Sequence, residues 1–143
     1  MNAVIKIINE NNKQLVQDFI NILEIDGAST SFRYFASRDI SVLENHAITL
    51  IMKNFETNDI IGYAHIDEES GKKWLGICIL DKYQGQGYGK RLFETLLCMA
   101  DDKKIDIIYL TVDTTNTKAY SMYKKYGFEE YKKTDNVIFM KKS

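Results

Sequence analysis

The fold is decided by the stretch WLGICILDKYQGQGYGKRLFETLLCMADDKK, which runs from Trp74 to Lys104. Its first part, Trp74–Leu80, is a continuous apolar run, typical of a strand that is covered on both faces. A glycine-rich turn follows. After it, apolar residues recur every three or four positions, which predicts an amphipathic helix over Gly89–Lys104. The stretch therefore predicts a strand, a glycine-rich turn and a helix in immediate succession.

A strand that leads through glycines into a helix is suited to bind phosphate. The first turn of a helix leaves its N–H groups unpaired, and the helix dipole adds positive potential there. Glycines let the backbone approach a ligand closely, and Lys90 and Arg91 add charge beside the turn. A magnesium-nucleotide loop would need Ser or Thr after Lys90, and the dinucleotide spacing of glycines is absent. A phosphate or pyrophosphate of another ligand is the expected guest.

The composition describes one ordinary globular domain, residues 1–143, with a formal net charge of −1. This charge argues against a nucleic-acid partner recognised through bulk positive charge. No signal peptide and no apolar span long enough for a membrane helix is present, so we expect no membrane partner. Cys78 and Cys98 both lie in apolar runs, which predicts buried, reduced thiols in a cytoplasmic protein.

The remaining pattern predicts an α/β (α+β) protein. About six or seven strands form a mixed, mostly antiparallel sheet flanked by about four helices, in the order β-α-α-β-β-β-α-β-α-β-β. The clear parallel step joins Trp74–Leu80 to the apolar run Ile107–Val112, through the helix after the glycine turn. This pair of strands marks the expected ligand site.

Two motifs resemble those of the GNAT superfamily of N-acetyltransferases. Gln84-x-x-Gly87-x-Gly89 is similar to the (Gln/Arg)-x-x-Gly-x-(Gly/Ala) loop with which that family grips the pyrophosphate of acetyl-CoA. The second motif runs from Asn116 through Ala119 and Tyr123 to Gly127-Phe128. The resemblance implies a GNAT-like fold with a splayed parallel strand pair, and acetyl-CoA as co-substrate. The residues it implies in acetyl-CoA binding are Ile79, Leu80, Gln84, Gly85, Gln86, Gly87, Tyr88, Gly89, Lys90, Asn116 and Tyr123.

Each residue of the second motif also has a structural interpretation. Asn116 precedes a helix and is placed to cap it, and the resemblance adds a bond to the pantetheine arm. Tyr123 would pack on the sheet, whereas the resemblance makes it the general acid that protonates the departing thiolate. The resemblance also implies that a backbone N–H near Ile79 stabilises the thioester oxygen as it becomes negative.

The family's usual glutamate at the start of the central strand is missing here, since Lys72-Lys73-Trp74 occupies that place. A substitute base would lie on the preceding strand, where His65 and Asp67 share one face. His65 is the first candidate because its ordinary pKa is near 6.5. It has an equal claim to be a hydrogen-bonded structural histidine, and an amine bound with a lowered pKa would need no base.

The acceptor site is predicted from position. Arg33, Tyr34 and Arg38 fall where GNAT proteins place substrate-binding helices, and His65 would face the same acceptor. We expect a small-molecule amine, an amino sugar or an amino acid derivative, and no metal. The alternatives are a lysine or N-terminus of a protein, an acyl-CoA sensor without turnover, or another nucleotide-binding enzyme. Apolar residues in Ser29–Ile51 make a homodimer as plausible as a monomer.

Overall fold

The computed structural model describes residues 2–143. Their strands are β1 (Ala3–Ile7), β2 (His46–Asn54), β3 (Ile60–Glu69), β4 (Lys72–Ile79), β5 (Ile108–Asp113), β6 (Glu129–Lys133) and β7 (Val137–Lys142). Their helices are α1 (Gln14–Asp26), α2 (Tyr88–Asp102) and α3 (Thr117–Lys125), with short 3-10 turns at Ala28–Thr30, Tyr34–Ala36, Ile40–Asn45 and Asp81–Tyr83.

Within residues 2–143, seven strands form a single sheet in the order β1-β2-β3-β4-β5-β7-β6. Neighbouring strands pair antiparallel, with β4 and β5 as the parallel exception. This architecture confirms the predicted fold class and the place of the parallel step. The predicted α2 starts one residue late and ends two residues late, which is ordinary fraying of a helix boundary.

The sheet is covered on both faces. On one face, Leu92, Phe93 and Leu96 of α2 pack with Tyr123 of α3 against the apolar side of the strands. On the other face, the buried side of α1 packs with the turns that follow it, around Phe19, Phe35 and Tyr63. Burial of each such side chain stabilises the folded state by about 1.5–3 kcal/mol. The two cores therefore hold the strands between them in position.

Strands β4 and β5 touch at one end and diverge towards the other. Within residues 2–143, the ladder between the two strands consists of the pair Trp74↔Tyr109. Past that pair the two strands separate, so Ile77 and Ile79 are half-buried although they lie in an apolar run. The prediction that Trp74–Leu80 is covered on both faces is therefore wrong at its carboxyl end, where a cleft replaces a neighbouring strand.

The apolar residues that suggested a dimer are packed inside the chain. Phe35 and Ile51 are buried in the second core, and Phe32, Val42 and Leu43 pack against it. This segment forms 3-10 turns in place of a regular helix. Its apolar content consequently gives no support to a homodimer.

Cys98 corrects the prediction that both cysteines are buried, because its thiol is exposed while that of Cys78 is buried. Cys98 is two positions from both Leu96 and Ala100, which are buried, and two positions correspond to about 200° around a helix. Its side chain therefore points outward. Of the helices in the described part of the chain, none is both long and apolar enough to span a bilayer.

Candidate active site

The divergence of β4 and β5 opens a cleft of about 460 Å³, a size typical of ligand pockets. One wall comes from β4 and the glycine-rich turn, and the other comes from β5 and α3. Of the predicted cofactor residues, those that line it are Ile79, Gln84, Gly85, Gly87, Tyr88, Gly89, Lys90, Asn116 and Tyr123. The structure thus brings both sequence motifs to one cavity.

The glycine turn presents an uncapped helix N-terminus to this cleft. Gly85 and Gly87 have φ values of 78° and 85°, in the left-handed region that favours glycine. Gly87 is the N-cap of α2 and provides no side-chain cap for the helix amides. The first N–H groups of α2, from Tyr88 onward, therefore remain available for an anion.

Gln84 holds the turn in place from within. Its Nε2 donates to the carbonyl oxygen of Ile79 at 3.0 Å and to Oδ1 of Asp81 at 3.2 Å. The side chain thereby ties the end of β4 to the turn.

The backbone of Ile79 faces the gap between β4 and β5. Leu80 donates its N–H to Ile61 O on β3 at 2.9 Å, and neighbouring residues of a strand direct their N–H groups to opposite sides. The N–H of Ile79 is therefore directed towards the cleft. The amide of Leu80 is already bonded and Leu80 is buried, so the structure does not place this predicted cofactor residue in the cleft. Gln86 also lies outside its lining.

Asn116 confirms its predicted role as a helix cap. Its Oδ1 accepts a hydrogen bond from the N–H of Ala119 at 3.2 Å, which leaves the amide nitrogen for a ligand. Lys118, in the first turn of α3, also lines the cleft, as does Lys90. Lys118 escaped sequence reasoning although it stands inside the second motif, between Asn116 and Ala119.

Tyr123 lies in the apolar floor of the cleft. It is 7% exposed, and its ring packs 5.3 Å from that of Phe93, centroid to centroid. Burial, with a smaller effect from the neighbouring thiol of Cys78, raises the pKa of Tyr123 to about 12. The phenol therefore keeps its proton at neutral pH.

Cys78 lines the cleft from the opposite face of the sheet. Burial and the nearby carboxylates Asp81 and Asp26 raise the pKa of its thiol to about 12. A thiol of this kind is neutral and unreactive at pH 7. The structure agrees with its interpretation as a core residue.

The predicted acceptor residues make contacts within the protein. Arg33 donates to Oδ1 of Asp113 at 2.9 Å and so connects the segment beside Ser31 and Phe32 to the end of β5. All three of Ser31, Phe32 and Asp113 line the cleft, so Arg33 closes its rim. Arg38 lies 4.5 Å above the ring of Tyr34, and neither residue lines the cleft. Their predicted contact with an acceptor stays a prediction.

His65 is 2% exposed and lies behind β4, outside the cleft lining. Its Nδ1 is 2.7 Å from the hydroxyl of Tyr63. Burial lowers the pKa of His65 well below 6.5, and the charges of His46 and Arg38 lower it further. Gly76 lines the cleft directly over the ring of His65, so the histidine approaches the cavity through a position that has no side chain. Its role as a base stays a prediction.

We expect Gly76→Ala to lower the free energy of unfolding by about 1–3 kcal/mol. A Cβ at this position would lie 2.7 Å from Cε1 and Nε2 of His65, whose ring is held by Tyr63. Urea unfolding of the purified variants measures the change. Gly89→Ala is the matched control, because its Cβ would meet Ile79 Cγ1 at an ordinary 3.5 Å. An unchanged stability of Gly76→Ala would show that the His65 ring moves freely.

Comparison with known proteins decides the family. The model of the acetyltransferase (GNAT) family matches residues 13–128, which include both motifs. The chain belongs to the GNAT family. This confirms the resemblance drawn from the two motifs.

Among GNAT relatives, a probable spermine N(1)-acetyltransferase of Bacillus subtilis subsp. natto is 32% identical over 81 residues, covering 50% of this chain and 53% of the relative. The ribosomal protein bS18 alanine N-acetyltransferase of Haemophilus influenzae is 35% identical over 82 residues, covering 57% and 56%. The chain thus matches only about half the length of these curated relatives.

Solved structures with the GNAT fold match nearly the full length of this chain. The spermidine N-acetyltransferase of Vibrio cholerae, in complex with CoA and spermine, superposes with a TM-score of 0.72 at 16% identity. The match covers 98% of this chain and 94% of that one. At this identity the likeness establishes the shared fold.

Proposed function

We propose that this chain is an acetyl-CoA-dependent N-acetyltransferase that acts on a primary amine of a small molecule. The observation that carries the proposal is the convergence, in one cleft, of the α2 amides, the inward-facing N–H of Ile79 and the phenol of Tyr123. Acetyl-CoA supplies an activated acetyl thioester. The residues of the chain would bind its pyrophosphate, orient the thioester and provide a proton.

The amides at the start of α2 would hold the pyrophosphate. The turn from Gly85 to Gly89 brings the backbone close without side chains in the way, and Lys90 and Lys118 add positive charge on the two sides of the cleft. Asn116 would bond to the pantetheine amides with its nitrogen. Together these contacts would direct the thioester towards the floor of the cleft, where Tyr123 lies.

The N–H of Ile79 would donate to the thioester oxygen. This donor is fixed by the β3–β4 ladder and lies in a partly apolar cavity, where a preorganised donor is worth several kcal/mol. Tyr123 would then give its proton to the sulfur as the thiolate leaves. A phenol with a pKa near 12 donates only as negative charge develops, which limits its action to the transition state.

The amine must reach the thioester without its proton. An amine with a pKa of about 10.4 is neutral in only about one molecule in 10³ at pH 7. His65 is the predicted acceptor of that proton, and the missing side chain of Gly76 brings its ring close to the cleft. Burial lowers the pKa of His65 well below 6.5, which makes it a weaker base than an exposed histidine. The acceptor itself would enter beside Ser31 and Phe32, the cleft residues on the α1 face of the sheet.

The relatives guide the choice of acceptors. One of them is named for spermine and another for the alanine of a ribosomal protein, so both a small amine and a protein N-terminus have support. We favour the small amine because the ion pair between Arg33 and Asp113 spans the rim beside Ser31 and Phe32, which narrows the entrance for an extended protein chain.

Release of free CoA thiol from acetyl-CoA tests the proposal. The panel contains spermine, spermidine, several amino acids, amino sugars, and a peptide with an N-terminal alanine. We expect turnover with at least one small amine and none with the peptide. Preference for the peptide would favour protein acetylation. Tight acetyl-CoA binding without turnover on any acceptor would favour the sensor alternative.

A further inference from the structure

Two histidines and an aspartate converge on the α1 face of the sheet, behind β4. His46 begins β2, and His65 and Asp67 lie on β3, where the antiparallel register pairs His46 with Asp67. One nitrogen of each imidazole and one oxygen of the carboxylate all lie within 4.8 Å of one another. Sequence reasoning placed His65 and Asp67 on one face of a strand but predicted no metal.

Asp67 has a buried oxygen with no partner. The residue is 4% exposed, and its Oδ2 accepts a hydrogen bond from the hydroxyl of Tyr34 at 2.9 Å. Its Oδ1 is buried and has no hydrogen-bond partner anywhere in residues 2–143. A buried carboxylate oxygen that is left unpaired is strongly unfavourable, so this atom points to a ligand that would pair with it.

The Nδ1 nitrogen of each histidine lies beside a hydroxyl group. Nδ1 of His46 lies 2.8 Å from Oγ1 of Thr49, and Nδ1 of His65 lies 2.7 Å from the hydroxyl of Tyr63. Metal-binding histidines typically have this arrangement, in which the outer nitrogen donates to a neighbour and the inner one binds the ion. The nitrogen that would bind an ion is Nε2 in both rings, and in His46 it now lies 2.9 Å from the hydroxyl of Tyr34.

Burial disfavours the charged form of all three groups. It lowers the pKa of His46 to about 4, and it lowers the pKa of His65 well below 6.5. Burial also raises the pKa of Asp67, an effect that the hydrogen bond from Tyr34 and the charge of Arg38 partly offset. Arg38, the cation stacked over Tyr34, is shared with Glu69 at 3.6 Å.

We propose that Nε2 of His46, Nε2 of His65 and Oδ1 of Asp67 bind one divalent zinc ion. Two imidazoles and a carboxylate form a common zinc ligand set, with bonds of about 2.0–2.2 Å. Bonds of this length require the ligand atoms to lie closer together than the 4.8 Å that bounds their present spacing. Zinc would replace the 2.9 Å hydrogen bond between His46 and Tyr34, whose hydroxyl would keep its bond to Oδ2 of Asp67. A water molecule would complete the four ligands.

The ion would be structural. The three ligands and Tyr34 join β2, β3 and the turn Tyr34–Ala36 on the face opposite α2, and none of the four lines the cleft. The half-buried His46 gives an entry path from the surface. Zinc bound at Nε2 of His65 would occupy the nitrogen with which His65 would accept the proton of the amine, and the amine would then have to bind with a lowered pKa. Zinc binding does not require acetyl-CoA, and acetyl transfer does not require the ion, so the two proposals fail separately.

The test is zinc titration of the full chain after removal of any purification tag, treatment with EDTA and dialysis. Every protein carries Cys98→Ser, because the exposed thiol of Cys98 would otherwise bind zinc by itself. Isothermal titration then compares this reference with Asp67→Asn and with His46→Gln. Asp67→Asn is nearly isosteric and keeps an oxygen for Tyr34, so it removes the carboxylate with little change in packing.

We expect the reference to bind one zinc ion per chain and both variants to lose more than about 100-fold in affinity, since even second-shell changes cost 10–100-fold. Zinc should raise the melting temperature of the reference but not of Asp67→Asn. Cobalt should give the visible bands of a four-coordinate site in the reference alone.

Thr49→Val keeps all three ligands and serves if either of the other variants misfolds. It removes the partner of His46 Nδ1, so we expect a loss of about 10–100-fold in zinc affinity. A folded reference that takes up no zinc would overturn the proposal. Equal zinc affinity in the reference and in the folded variants would overturn it as well.

Discussion

Tyr123→Phe is expected to lower turnover by about 10²- to 10⁴-fold, the usual contribution of a positioned general acid. The affinity for acetyl-CoA should stay nearly unchanged, because the ring packs with Phe93 and Phe128 through its apolar atoms. The fold should also survive, since Phe keeps those contacts. Steady-state kinetics with the best amine, together with isothermal titration of acetyl-CoA, separates the two effects.

Tyr120→Phe is the matched control for this prediction. Tyr120 lies on the same helix, and its hydroxyl is bonded to Glu130 at 3.3 Å, so its loss should leave turnover unchanged. If Tyr123→Phe kept the turnover of the wild type, Tyr123 would be only a packing residue.

The pH dependence of turnover provides a second test of the role of Tyr123. Since the phenol of Tyr123 loses its proton only near pH 12, the acid form is present throughout the neutral and mildly alkaline range. Turnover of the wild type should therefore show no decline from Tyr123 below about pH 11. A decline at pH 9 that disappears in Tyr123→Phe would contradict both the assigned pKa and its cause, which is burial.

Gly87→Ala is expected to weaken acetyl-CoA binding by more than about tenfold, which is 1.4 kcal/mol. Gly87 has a φ of 85°, and an L-residue in the left-handed region costs about 1–2 kcal/mol. The chain would relieve this strain by changing the turn that precedes α2. The N–H groups of Tyr88 and Gly89 would then lose the geometry that a pyrophosphate requires.

Gly89→Ala is the control, because Gly89 lies in the same turn but already within helix α2. An added methyl group would stabilise the helix by up to about 1 kcal/mol and meet Ile79 Cγ1 at 3.5 Å. Isothermal titration measures the affinity for acetyl-CoA, which should fall in Gly87→Ala and persist in Gly89→Ala. Equal binding in both variants would show that the left-handed turn at Gly87 is not needed for the ligand.

The elements around the glycine turn could be predicted because their signals are local. Apolar periodicity marks α2 and the neighbouring strands, and glycines mark the turn, each within a few residues of the contacts they describe. The same holds for Asn116, whose cap joins it to Ala119 three residues away. Such short-range hydrogen bonds and apolar faces can be predicted because they depend on residues that are close in the sequence.

Tertiary structure decided the rest, because packing joins residues that the sequence keeps apart. Tyr34 bonds to Asp67 across 33 positions, and Arg33 bonds to Asp113 across 80. A period-two pattern placed His65 and Asp67 on one face of the strand. It did not predict which side chains would cover that face or how far they would exclude water. The strand register and the packing of Tyr34 against both residues turned them into a buried cluster. The divergence of β4 from β5 turned an apolar run into the wall of a cleft.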